Sequence, residues 1–168
     1  MSNNPSSPRS ATSTSHTLYT WTSSTQNPVS KARRAFRDAL QDAGVSASTT
    51  SDAVLAASEL AANATEHATG PFKMVLIRTG AQLICEIHDR DPRIPPFLLG
   101  RQSRAAGERP DDGLTVQGRG LHIVHELTAG VWGYRVADGG RKIAWMAVPL
   151  KATEGSAAAL LAQSQPTI

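Results

Sequence analysis

The chain has 168 residues, with 17 Lys and Arg against 14 Asp and Glu, a net charge of +3 and 40% apolar side chains. That length fits one domain with a sizeable core, and a mild positive charge spread along the chain is not the basic stripe of a dedicated nucleic-acid binder. The single Cys85 excludes an internal disulfide, no apolar run approaches the roughly 18 residues of a membrane span, and no signal-peptide core is visible, so a cytoplasmic protein without membrane or direct nucleic-acid partners is expected.

Residues 1–15 are rich in Ser, Thr, Asn and Pro, with almost nothing to bury, and read as a disordered leader to a domain spanning 16–150. The β-branched and aromatic run Thr17-Leu-Tyr-Thr-Trp-Thr22 predicts a first strand. Asn27-Pro28 then opens a helix, with Asn as cap and Pro at the first helical position. Val29, Ala32, Ala35, Phe36, Ala39 and Leu40 fall at helical spacing, and Gly44 is the natural stop.

A second helix is predicted over Ser48–Ala68, ended by Thr69-Gly70-Pro71. Phe72–Thr79 and Gln82–Asp89 form a hairpin about Gly80-Ala81. In its second strand Leu83, Cys85, Ile87 and Asp89 share one face by alternation. A carboxylate that ends a core-facing series is a cap, a turn residue or a ligand contact.

Arg90–Gln117 carries four prolines, three glycines, three aspartates and five arginines. A connection of that length within a compact domain is uncommon and functional more often than not, so it reads as a lid. Gly118-Arg-Gly-Leu-His-Ile-Val-His-Glu-Leu127 is then a glycine-opened helix, with Leu121, Val124 and Leu127 as its buried stripe. Strands follow at Val131–Val136 and Lys142–Pro149 around the turn Ala137-Asp-Gly-Gly140, and residues 151–168 form a small, polar, flexible tail. No internal repeat is present. His122 and His125 share a helix face but have no evident third metal ligand, and Trp21, Trp132 and Trp145 read as core or sheet-edge aromatics, with Cys85 a small core residue.

The stretch Glu59-Leu-Ala-Ala-Asn63-Ala-Thr-Glu-His67 organises the rest. At 100° per residue Glu59, Asn63, Glu66 and His67 fall on one stripe, with Asp52 in line two turns earlier. Ala53, Ala57, Leu60, Ala61 and Ala64 lie beside it, and Leu55 and Ala62 flank its far side. This is either a solvated face or one wall of a site. The downstream residues favour a site. A glycine-opened helix N-terminus offers free backbone N–H groups and a positive dipole end to phosphate, and Arg119 can add a charged contact. Asp89 can accept from an exocyclic amine. Asn63 can offer oxygen to Mg²⁺, with Glu59 one turn away to accept a proton from an attacking hydroxyl.

In these motifs the chain resembles the ATP-binding proteins of the Bergerat fold, the group of gyrase B, Hsp90, histidine kinases and MutL. Within that group it is most similar to the stand-alone actinobacterial anti-sigma-factor serine/threonine kinases. The resemblance covers about residues 17–150 and rests on Glu59–His67 as the N box, His88–Pro95 in the place of the first glycine box and Gly118-Arg119-Gly120-Leu121 as the second. It implies an α/β fold of the α+β two-layer sandwich type, a mixed, mostly antiparallel sheet covered on one face by three helices. It also implies ATP and Mg²⁺ as cofactors, with Asn63 at the metal, Glu59 as general base and Asp89 on the adenine amine. His67, Gly118, Arg119, Gly120 and Leu121 complete the implied binding set. The lid arginines Arg101, Arg104 and Arg109, together with Arg119, are candidates to stabilise the transferring phosphate.

The implied partners are a STAS-type anti-anti-sigma protein, phosphorylated on Ser or Thr, and a sigma factor that is sequestered; a homodimer is a further expectation. Two departures stand out: Arg90, Asp91 and Pro92 replace the first-box glycines, and no Thr stands around Lys142-Ile143-Ala144-Trp145, where relatives often carry one near the adenine. A nucleotide-responsive binding module without turnover is the alternative reading. An ATPase of the gyrase or chaperone type would need a transducer domain, and a sensor histidine kinase a helical segment bearing its substrate histidine.

Overall fold

The computed structural model describes residues 13–94 and 116–150. The leader to residue 12, the lid from 95 to 115 with Arg101, Arg104 and Arg109, and the tail from 151 lie outside the described residues. Eight elements follow in order: β1 (Thr14–Trp21), α1 (Pro28–Asp42), α2 (Ala47–His67), β2 (Phe72–Arg78), β3 (Gln82–Asp89), α3 (Val116–Leu127), β4 (Trp132–Ala137) and β5 (Arg141–Pro149). The strands form one sheet in the order β1-β2-β3-β5-β4, and every described pairing is antiparallel. Three helices and an antiparallel sheet give the two-layer α+β sandwich that the sequence motifs imply.

Local chemistry accounts for the element ends. Asn27 stands at the N-cap of α1 with Pro28 behind it, as expected, but in the left-handed conformation (φ 49°), and its side chain makes no capping bond. The first turn of α1 therefore relies on Pro28, which has no N–H to satisfy. At the other end Gly44 (φ 76°) donates to Gln41 O at 2.9 Å and Val45 to Leu40 O at 3.0 Å. This paired closure of the last turn is open to glycine at no steric cost. Ser46 caps α2 by accepting from Thr49 N at 3.3 Å. β1 starts three residues earlier than the sequence suggests, because Thr14-Ser15-His16 extend its pairing with β2 as far as Arg78.

The core lies between the helices and one face of the sheet. Phe72 and Met74 of β2, Leu83, Cys85 and Ile87 of β3, and Ala144, Met146 and Val148 of β5 are buried there. Phe36 and Leu40 of α1, Leu60 of α2 and Val124 of α3 meet them. Helix α2 packs against both other helices and against β2, β3 and β5. Its alanines are thereby explained: Ala53, Ala56, Ala57, Ala61 and Ala64 are buried, and small side chains let neighbours approach it from two sides. Burial pushes the Cys85 thiol well above its ordinary range, so it serves as packing. Trp21 is buried, stacks on Phe72 and donates to Thr65 Oγ1 at 2.9 Å, tying β1 to α2.

Candidate functional site

The polar stripe of α2 is half-buried at its middle and exposed at both ends. Asp52 is exposed, Glu59 and Asn63 are half-buried, and Glu66 and His67 are exposed at the helix end. His67 Nε2 is 3.6 Å from Glu66 Oε2 and has no other ion-pair partner among the described residues. Glu59 and Asn63 thus sit at the boundary between core and solvent, where a ligand can reach them.

Helix α3 faces Glu59 across a close contact. A β-carbon placed on Gly120 would lie 2.6 Å from Glu59 Oε2. Only glycine leaves that space to the carboxylate. The helix begins at Val116, two residues ahead of Gly118, where the sequence opens it, so both glycines lie inside its first two turns. Gly118 falls in the first turn, whose N–H groups have no intrahelical acceptor, and Gly120 in the second. Two glycines this early in a helix each cost about 1 kcal/mol relative to alanine. For Gly120, room for Glu59 is what that cost secures. Arg119 is exposed. The Leu121 side chain is only 2% exposed within the core, so it serves the site by seating α3.

Asp89 closes the core-facing series of β3 as predicted and is 2% exposed. Its Oδ1 accepts from Asp91 N at 2.8 Å, and Asp91 Oδ1 in turn accepts from Arg93 N at 3.0 Å. Two successive aspartate-to-backbone hydrogen bonds hold the stretch from Asp89 to Arg93, in which no residue has a positive φ. Arg93 also grips Asp91 from Nε and Nη2, holding that carboxyl far below its usual range. Arg90 N donates to Thr69 O at 2.8 Å, fixing the end of β3 to the segment after α2.

Two residues missed in the sequence complete the cluster. Lys142 stands directly opposite Asp89 in the β3–β5 register and is 6% exposed. Its Nζ is 3.4 Å from Asp89 Oδ2, donates to Arg93 O at 3.1 Å and lies 5.9 Å from the Tyr134 ring centre. Tyr134 of β4 meets the Asn63 side chain; burial, helped by the Asp89 charge, pushes its phenol well up. Burial also raises the Asp89 carboxyl, opposed by the Asp91 N–H and by Lys142. The signal for Lys142 was present: with Ala144, Met146 and Val148 it shares the inward parity of β5, as Asp89 does on β3.

No group of three or more His, Cys, Asp or Glu that could hold a metal occurs among the described residues. His125 is occupied instead, accepting from Trp132 Nε1 at 3.2 Å. A divalent cation would therefore rely on a single amide such as Asn63 and complete its shell with ligand oxygens and water. That donor set fits Mg²⁺, which is commonly bound through one or two side chains plus substrate phosphates.

An acid and an amide one turn apart on the central helix, a buried aspartate at a strand end and a glycine-bearing helix start thus sit on one antiparallel α+β sandwich. The family model for the histidine kinase-like ATPase domain matches residues 22–147. The chain belongs to that family. No curated protein gives a significant match. No helix among the described residues is long and apolar enough to cross a membrane.

Proposed function

We propose that the chain is a Mg-ATP-dependent serine/threonine protein kinase that acts as an anti-sigma factor, phosphorylating a STAS-type anti-anti-sigma partner and sequestering a sigma factor. The observation that carries this reading is the carboxylate of Glu59 lodged against Gly120, one turn from Asn63 on α2. Nucleotide binding alone needs no acid at that position, whereas transfer to a hydroxyl does.

In this reading the adenine amine donates to Asp89, and the phosphates lie at the N-terminal turn of α3, where free N–H groups and the helix dipole receive negative charge. Asn63 would hold Mg²⁺, which would supply neutralisation of charge on the phosphate oxygens. Glu59 takes the proton of the partner's Ser or Thr hydroxyl as its oxygen bonds to the γ-phosphorus. The bond from that phosphorus to the β–γ bridging oxygen breaks, and ADP departs. Arg119 is placed to offset charge on the transferring group.

The test is incubation with γ-labelled ATP, Mg²⁺ and a panel of STAS-domain proteins, for the wild type and for Glu59→Ala. Label on Ser or Thr of one partner, lost in the variant, is the expected result. ATP binding with no transfer to any member would favour the non-catalytic binding module instead.

A further inference from the structure

Lys142 has no part in the reading above, yet it is the cation nearest to Asp89 among the described residues. Its chemistry is directional. An ammonium has three donors; one goes to Arg93 O and one faces Asp89 Oδ2, leaving a third. Asp89 Oδ1 is occupied by Asp91 N–H, so Oδ2 is the oxygen that can receive a further donor. Between them the two side chains present one acceptor and one donor side by side, at a strand-paired position that fixes their separation. Tyr134, beneath Lys142, holds the ammonium over its ring and keeps it at this end of the sheet.

We propose that Lys142 is a base-reading residue, donating to N1 of adenine while Asp89 Oδ2 accepts from the neighbouring amine. This rests on the nucleotide reading given above and deepens it. The adenine edge offers a donor and, next to it, an acceptor, which matches the Asp89–Lys142 pair. Guanine in the same pose places its carbonyl against the carboxylate and its N1–H against the ammonium, a mismatch at both atoms. A buried site built to hydrogen-bond an acceptor rejects an analogue that lacks it, because the donor is then left unpaired.

The experiment is calorimetric titration of ATP and of 1-deaza-ATP, in which a C–H replaces N1, into the wild type and Lys142→Met. Wild type is expected to bind 1-deaza-ATP about ten-fold or more weakly than ATP, the discrimination of a hydrogen bond to a charged group. Lys142→Met is expected to bind the two alike. Should the variant not fold with a lone buried carboxylate, Lys142→Arg keeps a cation beside Asp89 but moves its donors, and the ratio is expected to fall. Equal binding of both nucleotides by the wild type, or an unchanged ratio in a folded variant, would overturn the role of Lys142 and leave the ATP reading standing. Failure of the wild type to bind ATP at all would overturn the ATP reading, and this proposal with it.

Discussion

Gly120 of α3 stands so close to Glu59 of α2 that a β-carbon on it would come within 2.6 Å of the carboxylate oxygen. The two residues are far apart in the chain and meet because α2 packs against both other helices. Their contact separates two properties that mutations commonly change together. Gly120→Ala gains helix propensity worth up to about 1 kcal/mol, and the atom it displaces is the end of a flexible side chain. The melting temperature is therefore expected to hold or rise slightly. Phosphoryl transfer is expected to fall at least about ten-fold as Glu59 is pushed from its place. Thermal denaturation beside a transfer assay checks both halves.

Glu59 itself gives the complementary case. Glu59→Gln keeps the shape of the side chain and removes the base. ATP affinity should stay within about three-fold of wild type while turnover drops by about 10²- to 10⁴-fold, the usual range for a general base. Binding by calorimetry and transfer rates at saturating ATP distinguish this from loss of the site. A parallel loss of affinity would mean that Glu59 holds the ligand.

The face of the sheet away from the helices contains a charge cluster that links stability to pH. Glu86 is 6% exposed and is bonded by Arg135 Nη2 at 2.6 Å and by His88 Nε2 at 2.8 Å. Burial pushes its carboxyl up, but these two partners outweigh burial and hold it below the ordinary value. A carboxyl lowered in the folded state contributes stability above its unfolded pKa, and that contribution is lost as the pH falls through the folded value. Arg135→Met should therefore cost about 1–2 kcal/mol at neutral pH, an amount reduced by the half-exposure of Arg135. The cost should shrink on the acid side of the carboxylate range. Urea unfolding of both chains at pH 7 and pH 4 measures it.

His88 acts in the same direction. Burial lowers its pKa, reinforced by Lys73 and Arg141 and opposed by Glu86. The folded chain thus favours the neutral ring, and stability falls as the pH drops below the unfolded histidine value. His88→Gln, which keeps a donor for Glu86, should flatten the stability profile between about pH 7 and pH 5. Denaturant midpoints across that range provide the check.

The sequence carried much of the architecture because its signals are local. Alternation places Asp89 inward on β3, helical spacing puts Phe36 and Leu40 in the core, and Gly44 stops α1 as its position indicates. What escaped was whatever depends on two distant segments meeting. Asn27 was legible as a cap by position, but not its left-handed backbone or its idle side chain. Gly118 and Gly120 are legible as the opening of a helix, but the reason for Gly120 lies 61 positions upstream, in the space that Glu59 fills. Lys142 is legible in the sequence only as the start of the last strand. Its pairing with Asp89 exists only once β5 lies against β3.

The central claim is that Asn63 and its neighbours form a Mg-ATP site, and the most direct measurement is calorimetric titration of ATP, with and without Mg²⁺, into the wild type and Asn63→Ala. Metal-dependent binding by the wild type, lost or weakened at least about ten-fold in a variant that melts like wild type, is the predicted result. Absence of ATP binding by the folded wild type, or binding indifferent both to Mg²⁺ and to Asn63, would contradict the account.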